Sequence, residues 1–398
     1  MTKGKTILCF ASGYDAPPTS KHHVMHLLAK QNTVLWVNYH ASRTPSASAS
    51  DMMYMVKKLG QVAGGMRKVR KGLYVLTPLV LPLPGSKWAK RLNELLMVRQ
   101  INAALMKIRS GGLEIWSFSP DIAYLVDQFK PEKVMYYCVD DFAHFTGYDT
   151  DQILRDEAQL AGMSDLVVTT SRSLMESKSH LNTNTILMPH GVDHEHFSST
   201  LTKRHKRPAD LEGIEGPVLG FFGLIRDWID LDILAEVARA RPGWNIVMLG
   251  DWAVDISGYE KLENYHFLGP KSYEDLPAYC ASFDVGLIPF KINKLTEAVN
   301  PIKLREYLSA GLPVVSTALG EVVSYRDGSF AEIANTASEF ITAVEKVLKY
   351  TPADKAKLSK AMASETWPAK VEMITQRMIE PFTNHAAKPL GNEWKGVQ

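Results

Sequence analysis

The sequence predicts an α/β protein built from two doubly wound domains. Short runs rich in β-branched and aromatic residues alternate with stretches of helical length, and this alternation occurs in two separate series. The length of 398 residues suits two domains of ordinary size. A run rich in charge, proline and glycine, residues 198–217, separates the two series. We therefore expect two parallel sheets, each covered by helices on both faces.

The first series predicts an N-terminal domain over residues 1–200 and a linker over residues 201–216. Its helical stretches, such as SKHHVMHLLAKQ and WAKRLNELLMVRQINAALMKI, carry apolar residues at three-to-four spacing. The segments with strand composition are KTILCFAS, TVLWVNY, LYVLTPL, LEIWSFS, KVMYYCV, DLVVTTS and TILMPHG.

The second series predicts a domain over residues 217–365. Its strand segments are PVLGFFG, NIVMLGD, YHFLG, DVGLIPF, LPVVST and SFAEIA. A last helical pattern, residues 366–385, contains Pro368, which forces a kink or a restart. Because no strand follows, we expect this helix to pack on a domain that is already built, with residues 386–398 as a tail.

Composition and charge narrow the class of protein. A hydrophobic content of 45% with 22% charged residues is typical of a globular chain. The three cysteines lie far apart without metal-ligand spacing, which predicts reduced thiols in a cytoplasmic protein. No apolar stretch approaches the roughly 20 residues that span a bilayer. The chain is therefore expected to be soluble or peripheral to a membrane.

Positive charge is concentrated in residues 57–110, which hold twelve Lys or Arg against one acidic residue, Glu94. Leu81, Leu83 and Trp88 are interleaved with these charges. Basic side chains beside apolar and Trp residues favour contact with an anionic membrane surface, whereas a solvated helix face is the alternative. The aromatic platforms of a single-strand binder are not evident, so we predict no nucleic-acid partner.

Ligands of doubly wound sheets bind at the carboxyl ends of the strands, so the loops there are candidate sites. In GFFGLIRDW, Gly223 would let a ligand approach the backbone and Arg226 could meet a phosphate. In FLGPKSYEDLPAY, the backbone of Leu268 and Gly269 could hold a planar base. Each of these loops, taken alone, is also compatible with an ordinary turn.

The stretch NPIKLREYLSAGLPVVST places an ammonium and a carboxylate near a helix N-terminus. Asn300 is the expected N-cap and Pro301 suits the first turn, so that Lys303 and Glu306 fall on one face. A helix N-terminus with a lysine is suited to phosphate, and a carboxylate can accept hydrogen bonds from ribose hydroxyls. The pattern favours a binding site for a nucleoside diphosphate over a Lys–Glu pair that lies on the surface without a ligand.

These landmarks resemble those of the GT-B glycosyltransferases. NPIKLREYLSAGLPVVST is similar to their nucleotide-binding helix, DLVVTTS with MPHGVDHEHF to the end of their first domain, and SETWPAKVEMITQRM to the helix that crosses back. The resemblance implies two Rossmann-like domains facing a cleft. It also implies transfer of a sugar from a nucleotide-sugar, expected to be UDP-linked, to a lipid-linked or polysaccharide acceptor in cell-surface polysaccharide biosynthesis. The basic segment would hold such an enzyme at the inner face of the cytoplasmic membrane.

Two relatives of that fold differ in stereochemistry. The retaining family, which includes the teichuronic acid type, usually has two glutamates eight positions apart; Glu306 matches the second, but Ala298 stands at the first and Glu297 is out of register. This sequence is also similar to the inverting xanthan-type glucuronosyltransferase. The similar segments are IKLREY, the HGVDH of residues 190–194 and ASGYDAPPTSKHH. Inversion and retention both remain open at this point.

The resemblance to the glucuronosyltransferase assigns Asp140, in KVMYYCVDDFAHFTGYD, as the general base. The alternative is that Asp140 and its neighbour Asp141 both cap the following turn. Four further residues are candidates for contact with acceptor or phosphate, with structural roles as the alternative: Gly13, His22, His23 and His190.

No metal or cofactor is expected beyond the donor itself, because no DxD pair occurs in a suitable loop and a helix N-terminus with basic side chains can meet diphosphate charge. Two other functions remain compatible with the scaffold. One is a nucleotide-sugar 2-epimerase, which would need a carboxylate and histidine set around the sugar and no acceptor surface. The other is a non-catalytic nucleotide-sugar-binding component of a polysaccharide assembly complex.

Overall fold

The computed structural model describes residues 3–39, 65–80, 87–145, 147–326 and 330–380. These residues form two compact units, divided between Pro189 and His190, and residues 370–380 belong to the first unit. Leu81, Leu83, the two lysines at 57 and 58, and the predicted tail lie outside the described residues.

The first unit contains an eight-stranded sheet in the order β3-β4-β2-β1-β5-β6-β7-β8. Neighbouring strands are parallel except β3 and β4, which pair antiparallel. The strand order reverses between β1 and β5, which is where doubly wound sheets bind ligands. The strands are β1 Thr6–Ala11, β2 Thr33–Asn38, β3 Met66–Arg70, β4 Leu73–Leu76, β5 Leu113–Ser117, β6 Lys133–Cys138, β7 Leu166–Thr169 and β8 Thr185–Leu187.

All seven strands predicted for the first half are present, and β3 is the one that the sequence pattern missed. Three of the five residues in its sequence MRKVR are charged, and its side chains are exposed or partly exposed because it forms the edge of the sheet. Charged edge strands of this kind resist pairing with other chains. The helices of this part of the chain are α1 Ser20–Leu28, α2 Lys87–Ile108, α3 Ala123–Phe129, α4 Thr150–Met163 and α5 Arg172–Lys178.

The second unit contains a six-stranded parallel sheet in the order β11-β10-β9-β12-β13-β14. Its strand order reverses between β9 and β12, so the carboxyl ends of these two strands flank the expected ligand crevice. All six predicted strands are present: β9 Val218–Phe222, β10 Asn245–Leu249, β11 Tyr265–Gly269, β12 Val285–Ile288, β13 Val314–Ser316 and β14 Ala331–Ile333.

The segment predicted as a linker is instead part of the second unit. Helix α6, His194–Thr202, buries Phe197 completely, and Leu211 in the following 3-10 turn is also fully buried in the same core. Leu211, an apolar anchor within the charged run, explains this correction, and the units divide at residue 189 rather than at 200. The other helices are α7 Leu231–Ala240, α8 Leu276–Cys280, α9 Lys294–Glu297, α10 Ile302–Ser309, α11 Gly320–Val323, α12 Ala337–Val347 and α13 Pro352–Ala361.

The terminal pattern forms a separate helix, α14, at Trp367–Ile379. Pro368 lies in its first turn, where the missing N–H costs no helical hydrogen bond. Val371, Ile374 and Met378 of this helix are buried. Within the described ranges, no helix combines the length and apolarity needed to cross a bilayer.

Candidate functional site

Lys303 lies at the carboxyl end of the second sheet, where the strand order reverses. Its ammonium nitrogen is 5.2 Å from the ring centre of Phe221, in β9, and 5.7 Å from that of Phe290, just after β12. Gly223 has a φ of +138°, and a Cβ atom there would overlap the Lys303 side chain. Gly223 therefore admits the lysine, and two aromatic rings hold its charge at the crevice.

Glu306 is buried and Lys303 is half-buried, and removal from water disfavours the charged form of each. Burial lowers the pKa of Lys303, opposed by the nearby Glu306 carboxylate. Burial raises the pKa of Glu306 to about 7; the Lys303 ammonium opposes this rise and Asp193 adds to it. The Glu306 residue is only 7% exposed. An anionic ligand beside Lys303 and hydroxyl donors beside Glu306 would stabilise the charged forms of both.

Asn300 does not cap this helix, which corrects the expectation from sequence. The N-cap of α10 is Pro301, and no side chain caps the first turn. The Asn300 side-chain oxygen instead accepts a hydrogen bond of 2.7 Å from the guanidinium of Arg305, and both residues are buried. The N-cap residue Pro301 therefore supplies no side-chain acceptor to the first turn of α10, which suits an anion site.

Arg226 follows Gly223 on the same loop, but its guanidinium is held by protein groups. It donates to the Asp251 carboxylate and to the Asp251 carbonyl, both at 2.8 Å, and to the Ile225 carbonyl at 3.0 Å. It lines a small cavity together with Lys291 and Tyr259. The loop after β9 thus places Arg226 near the crevice with one carboxylate already paired to it.

The turn at Leu268 and Gly269 ends β11, and its carbonyls already have donors. Lys271 donates its side-chain N–H to the Leu268 carbonyl at 2.6 Å, and the Gly250 N–H donates to the Gly269 carbonyl at 2.9 Å. Gly269 has a φ of +71°, which favours glycine. Recognition of a base here, as the sequence predicted, would use the acceptor capacity that these carbonyls retain.

In the first unit, Asp140 and Asp141 follow β6 and occupy different environments. Protein groups enclose Asp140, and burial raises its pKa to about 7; Lys21 opposes this rise and Asp141 adds to it. Asp141 pairs with His144 across the next turn, Oδ2 to Nδ1, at 2.8 Å. Asp141 therefore interacts with the turn, as the alternative proposed, and the role of Asp140 as general base stays a prediction.

Both ring nitrogens of His22 have hydrogen-bond partners within the protein, and its contact with acceptor or phosphate stays a prediction. Its Nδ1 accepts from the Thr19 N–H at 3.1 Å, and its Nε2–H donates to the Tyr14 carbonyl at 3.0 Å. It closes the capping box of α1 and packs on Trp36, with ring centres 4.9 Å apart. Burial lowers the pKa of His22 to about 4, so the ring is neutral near pH 7.

Acidification is expected to destabilise the first unit through His22. An unfolded histidine binds a proton near pH 6.5, whereas the folded His22 resists protonation until about pH 4. The contribution of neutral His22 to the free energy of unfolding is complete above pH 6.5. It is lost as the pH falls toward 4, by up to about 3 kcal/mol. Urea unfolding at several pH values would measure this loss. In His22→Asn, the free energy of unfolding should depend less steeply on pH between 6.5 and 4. An unchanged slope would show that His22 does not cause the pH dependence.

The other candidates in the first loop and at the start of the second unit differ in accessibility. A Cβ atom on Gly13 would meet no atom within 4 Å, so the space around it is open. His23, in α1, is partly exposed. His190 is only 5% exposed, and its ring centre lies 5.9 Å from that of Trp367. Contact of Gly13, His23 or His190 with acceptor or phosphate stays a prediction.

Sequence reasoning missed Lys21 and Ser12, which lie at the carboxyl end of the first sheet. The Lys21 ammonium donates to the Ser12 hydroxyl, and Lys21 interacts electrostatically with Asp140. The available signal was a lysine in the first turn of a predicted helix, directly after the first strand and its loop. The prediction named the neighbouring His22 and His23 as candidate contacts instead.

Comparison with known proteins identifies the second unit most directly. Residues 216–350 match the family model described as glycosyl transferases group 1. Over 164 residues the chain is 35% identical to TuaH of Bacillus subtilis (strain 168), which is named as a glycosyltransferase of teichuronic acid biosynthesis. That match covers 40% of this chain and 41% of TuaH, so the chain spans less than half the length of that relative.

Solved structures share the fold over nearly the whole chain. Sucrose-phosphate synthase from Thermosynechococcus elongatus has a TM-score of 0.67 at 13% identity, covering 94% of this chain and 98% of its own. HepE from Anabaena, in complex with UDP-glucose, has a TM-score of 0.66 at 16% identity with the same coverage. These comparisons confirm the GT-B fold class, and the TuaH match confirms the resemblance to the teichuronic acid type.

Proposed function

We propose that this protein is a glycosyltransferase that moves a sugar from a UDP-sugar to a saccharide acceptor in the assembly of a cell-surface polysaccharide. The observation that carries the proposal is the half-buried Lys303 ammonium at the β9/β12 crevice with the Glu306 carboxylate one turn along. The group 1 match over residues 216–350 supports the activity. UDP-glucose bound to HepE, which shares the fold, supports the choice of nucleotide.

The donor would bind through its diphosphate and its ribose. Lys303 and the uncapped N-terminus of α10 would meet the diphosphate, and the Glu306 carboxylate would accept hydrogen bonds from the two ribose hydroxyls. Because an ammonium and a helix N-terminus supply positive charge, we propose a transfer that needs no metal ion and no cofactor besides the donor.

The chemical step would be a direct displacement. Asp140 accepts the proton of an acceptor hydroxyl while the hydroxyl oxygen forms a bond to the anomeric carbon. The bond from that carbon to the diphosphate breaks, and its electron pair leaves with the diphosphate, which Lys303 stabilises. This step inverts the anomeric centre. Ala298 is buried, and the out-of-register Glu297 is exposed, so the first glutamate of the retaining pattern has no counterpart at position 298.

A thermal-shift screen with UDP-, GDP- and ADP-sugars tests the donor assignment. Ligands that bind the folded state raise the unfolding temperature, so UDP-sugars should stabilise the protein selectively. Proton NMR of the products then distinguishes the activities, because transfer yields a new glycosidic bond of inverted configuration. An isomerised nucleotide-sugar would indicate an epimerase. Selective stabilisation without turnover on any saccharide acceptor would indicate a binding component.

Helix α2 supports a lipid-linked acceptor and attachment to the inner face of the cytoplasmic membrane. Trp88, Leu92, Leu95 and Met106 recur at helical spacing and are 60%, 37%, 68% and 82% exposed. Arg91 and Arg99 are exposed beside them. An apolar stripe flanked by arginines fits the boundary between anionic headgroups and acyl chains.

Vesicle flotation would test this attachment. The protein should float with vesicles that contain phosphatidylglycerol and much less with vesicles of phosphatidylcholine alone. Leu95→Glu should reduce flotation several-fold, because it places a carboxylate in the apolar stripe. Leu154→Glu is the matched control, since Leu154 is 45% exposed on a different helix. Equal flotation of both variants would argue against α2 as the membrane contact.

A further inference from the structure

The loops after β9, β10 and β11 form a continuous backbone surface at the carboxyl end of the second sheet. A Cβ atom on Gly250, which follows β10, would overlap the Gly223 carbonyl oxygen, so the loops after β9 and β10 are in direct contact. The Gly250 N–H donates to the Gly269 carbonyl at 2.9 Å, which joins these loops to the turn after β11. Because Lys303 packs against Gly223, the surface runs from the proposed diphosphate site to that turn.

The spacing of the strands gives the length of this surface. The strands β9, β10 and β11 are neighbours in the sheet, so the turn after β11 lies about 10 Å, or two strand spacings, from the loop after β9. A nucleoside diphosphate can extend over such a distance, with its diphosphate at Lys303 and its base at the turn. Glycine at positions 223, 250 and 269 leaves the surface without side chains at its three contact points.

Lys271, two residues after β11, is held between the turn and a distant segment of the chain. Its ammonium donates to the Leu268 carbonyl at 2.6 Å, within the turn. It also forms an ion pair of 2.8 Å with Asp210, which lies in the 3-10 turn Ala209–Leu211. The Asp210 carboxylate is itself anchored, because it accepts the hydroxyl of the buried Tyr279 at 2.8 Å and 2.9 Å. The Lys271 side chain is only 19% exposed, so water competes weakly for these bonds.

The Lys271 ammonium fixes the orientation of the Leu268 carbonyl. A charged donor at 2.6 Å forms a strong hydrogen bond and occupies one of the two lone pairs of the carbonyl oxygen. The second lone pair keeps the capacity to accept a hydrogen bond from a ligand. A base that binds at this turn therefore meets an acceptor whose direction is set by Lys271 and, through Lys271, by Asp210.

We propose that Lys271 and Asp210 are positioning residues that select uracil over cytosine as the base of the donor. Uracil has an N–H group at position 3 of its ring, which donates to the Leu268 carbonyl, whereas cytosine has a lone pair on that nitrogen. Cytosine would place two acceptors against each other, which costs binding free energy. The inference rests on the proposed function, because a UDP-sugar is the donor in that reaction. It also gives a role to the charged run of residues 198–217, which supplies Asp210.

Calorimetric titration of UDP, CDP and pyrophosphate with Lys271→Met tests the role. Methionine keeps most of the side-chain length but donates no hydrogen bond to Leu268. The original protein should bind UDP about tenfold or more tighter than CDP, and this preference should fall to about threefold or less in Lys271→Met. Pyrophosphate affinity should not change, because pyrophosphate has no base and meets only the proposed diphosphate site at Lys303. Lys271→Arg keeps the charge and should restore part of the preference.

A second variant and a matched control separate base recognition from stability. Asp210→Asn removes the ion pair but leaves the Lys271 ammonium able to donate to Leu268, so it should lower the preference for UDP by a smaller factor. Lys346→Met removes an ion pair of 2.6 Å with Glu332, between α12 and β14 of the same unit, and should leave the preference unchanged. Thermal unfolding verifies that each variant is folded.

The outcomes distinguish this inference from the proposed function. An unchanged preference for UDP in Lys271→Met, with normal folding, would overturn the inference and leave the proposed function intact. An equal loss of affinity for UDP, CDP and pyrophosphate would assign Lys271 a purely structural role and would also overturn it. Absence of UDP binding by the original protein would contradict the proposed function, and the inference would fail with it.

Discussion

Replacement of Asp140 by asparagine is expected to lower kcat for sugar transfer by about 10²- to 10⁴-fold, the range typical of a lost general base. Asparagine keeps the size and polarity of the side chain but cannot accept the acceptor proton. UDP affinity should be unchanged, because the donor groups Lys303 and Glu306 belong to the other unit. Steady-state kinetics with a saturating UDP-sugar, together with calorimetric titration of UDP, would measure both quantities.

The pH profile gives this prediction a second readout. A base with a pKa of about 7 is half ionised there, so kcat/KM should rise with pH through about 7 and level off above it. That limb should be absent from the residual activity of Asp140→Asn. Asp141→Asn is the control, since Asp141 pairs with His144 and should change kcat only a few-fold. A large loss of kcat in Asp141→Asn with little loss in Asp140→Asn would show that Asp141, and not Asp140, is the base.

The fold was largely predictable because its strands have strong local signals. Buried parallel strands are continuous apolar runs, and all thirteen predicted segments contain one of the strands in the structure. The edge strand Met66–Arg70 lacked that signal, since an edge position selects for charge rather than apolarity. The division between the units was misplaced for a related reason. Leu211 is an isolated apolar residue in a charged run and Phe197 lies directly before that run, and only tertiary packing shows that both are buried.

The candidate site was predictable where its members are close in sequence. Lys303 and Glu306 share a helix face by spacing alone, and in the structure Glu306 is buried and Lys303 is half-buried. Contacts between distant segments carry no such signal. The fit of Lys303 against Gly223 connects two loops far apart in the chain. For the same reason, the sequence did not predict the hydrogen bond of Asn300 with Arg305, which replaces the expected capping role of Asn300. It also did not predict the electrostatic interaction of Lys21 with Asp140.

Lys303→Met is expected to weaken UDP binding by about 10²- to 10³-fold, because the variant removes the positive charge proposed to meet the diphosphate. The ligand-free variant should be at least as stable to heat as the original protein, since methionine has similar length and avoids the burial of a charge. Calorimetric titration and thermal unfolding would test both effects. Lys294→Met is the control, because Lys294 is an exposed lysine in the preceding helix α9, and this variant should bind UDP normally. Unchanged UDP affinity in Lys303→Met, with normal folding, would remove the nucleotide from the N-terminus of α10.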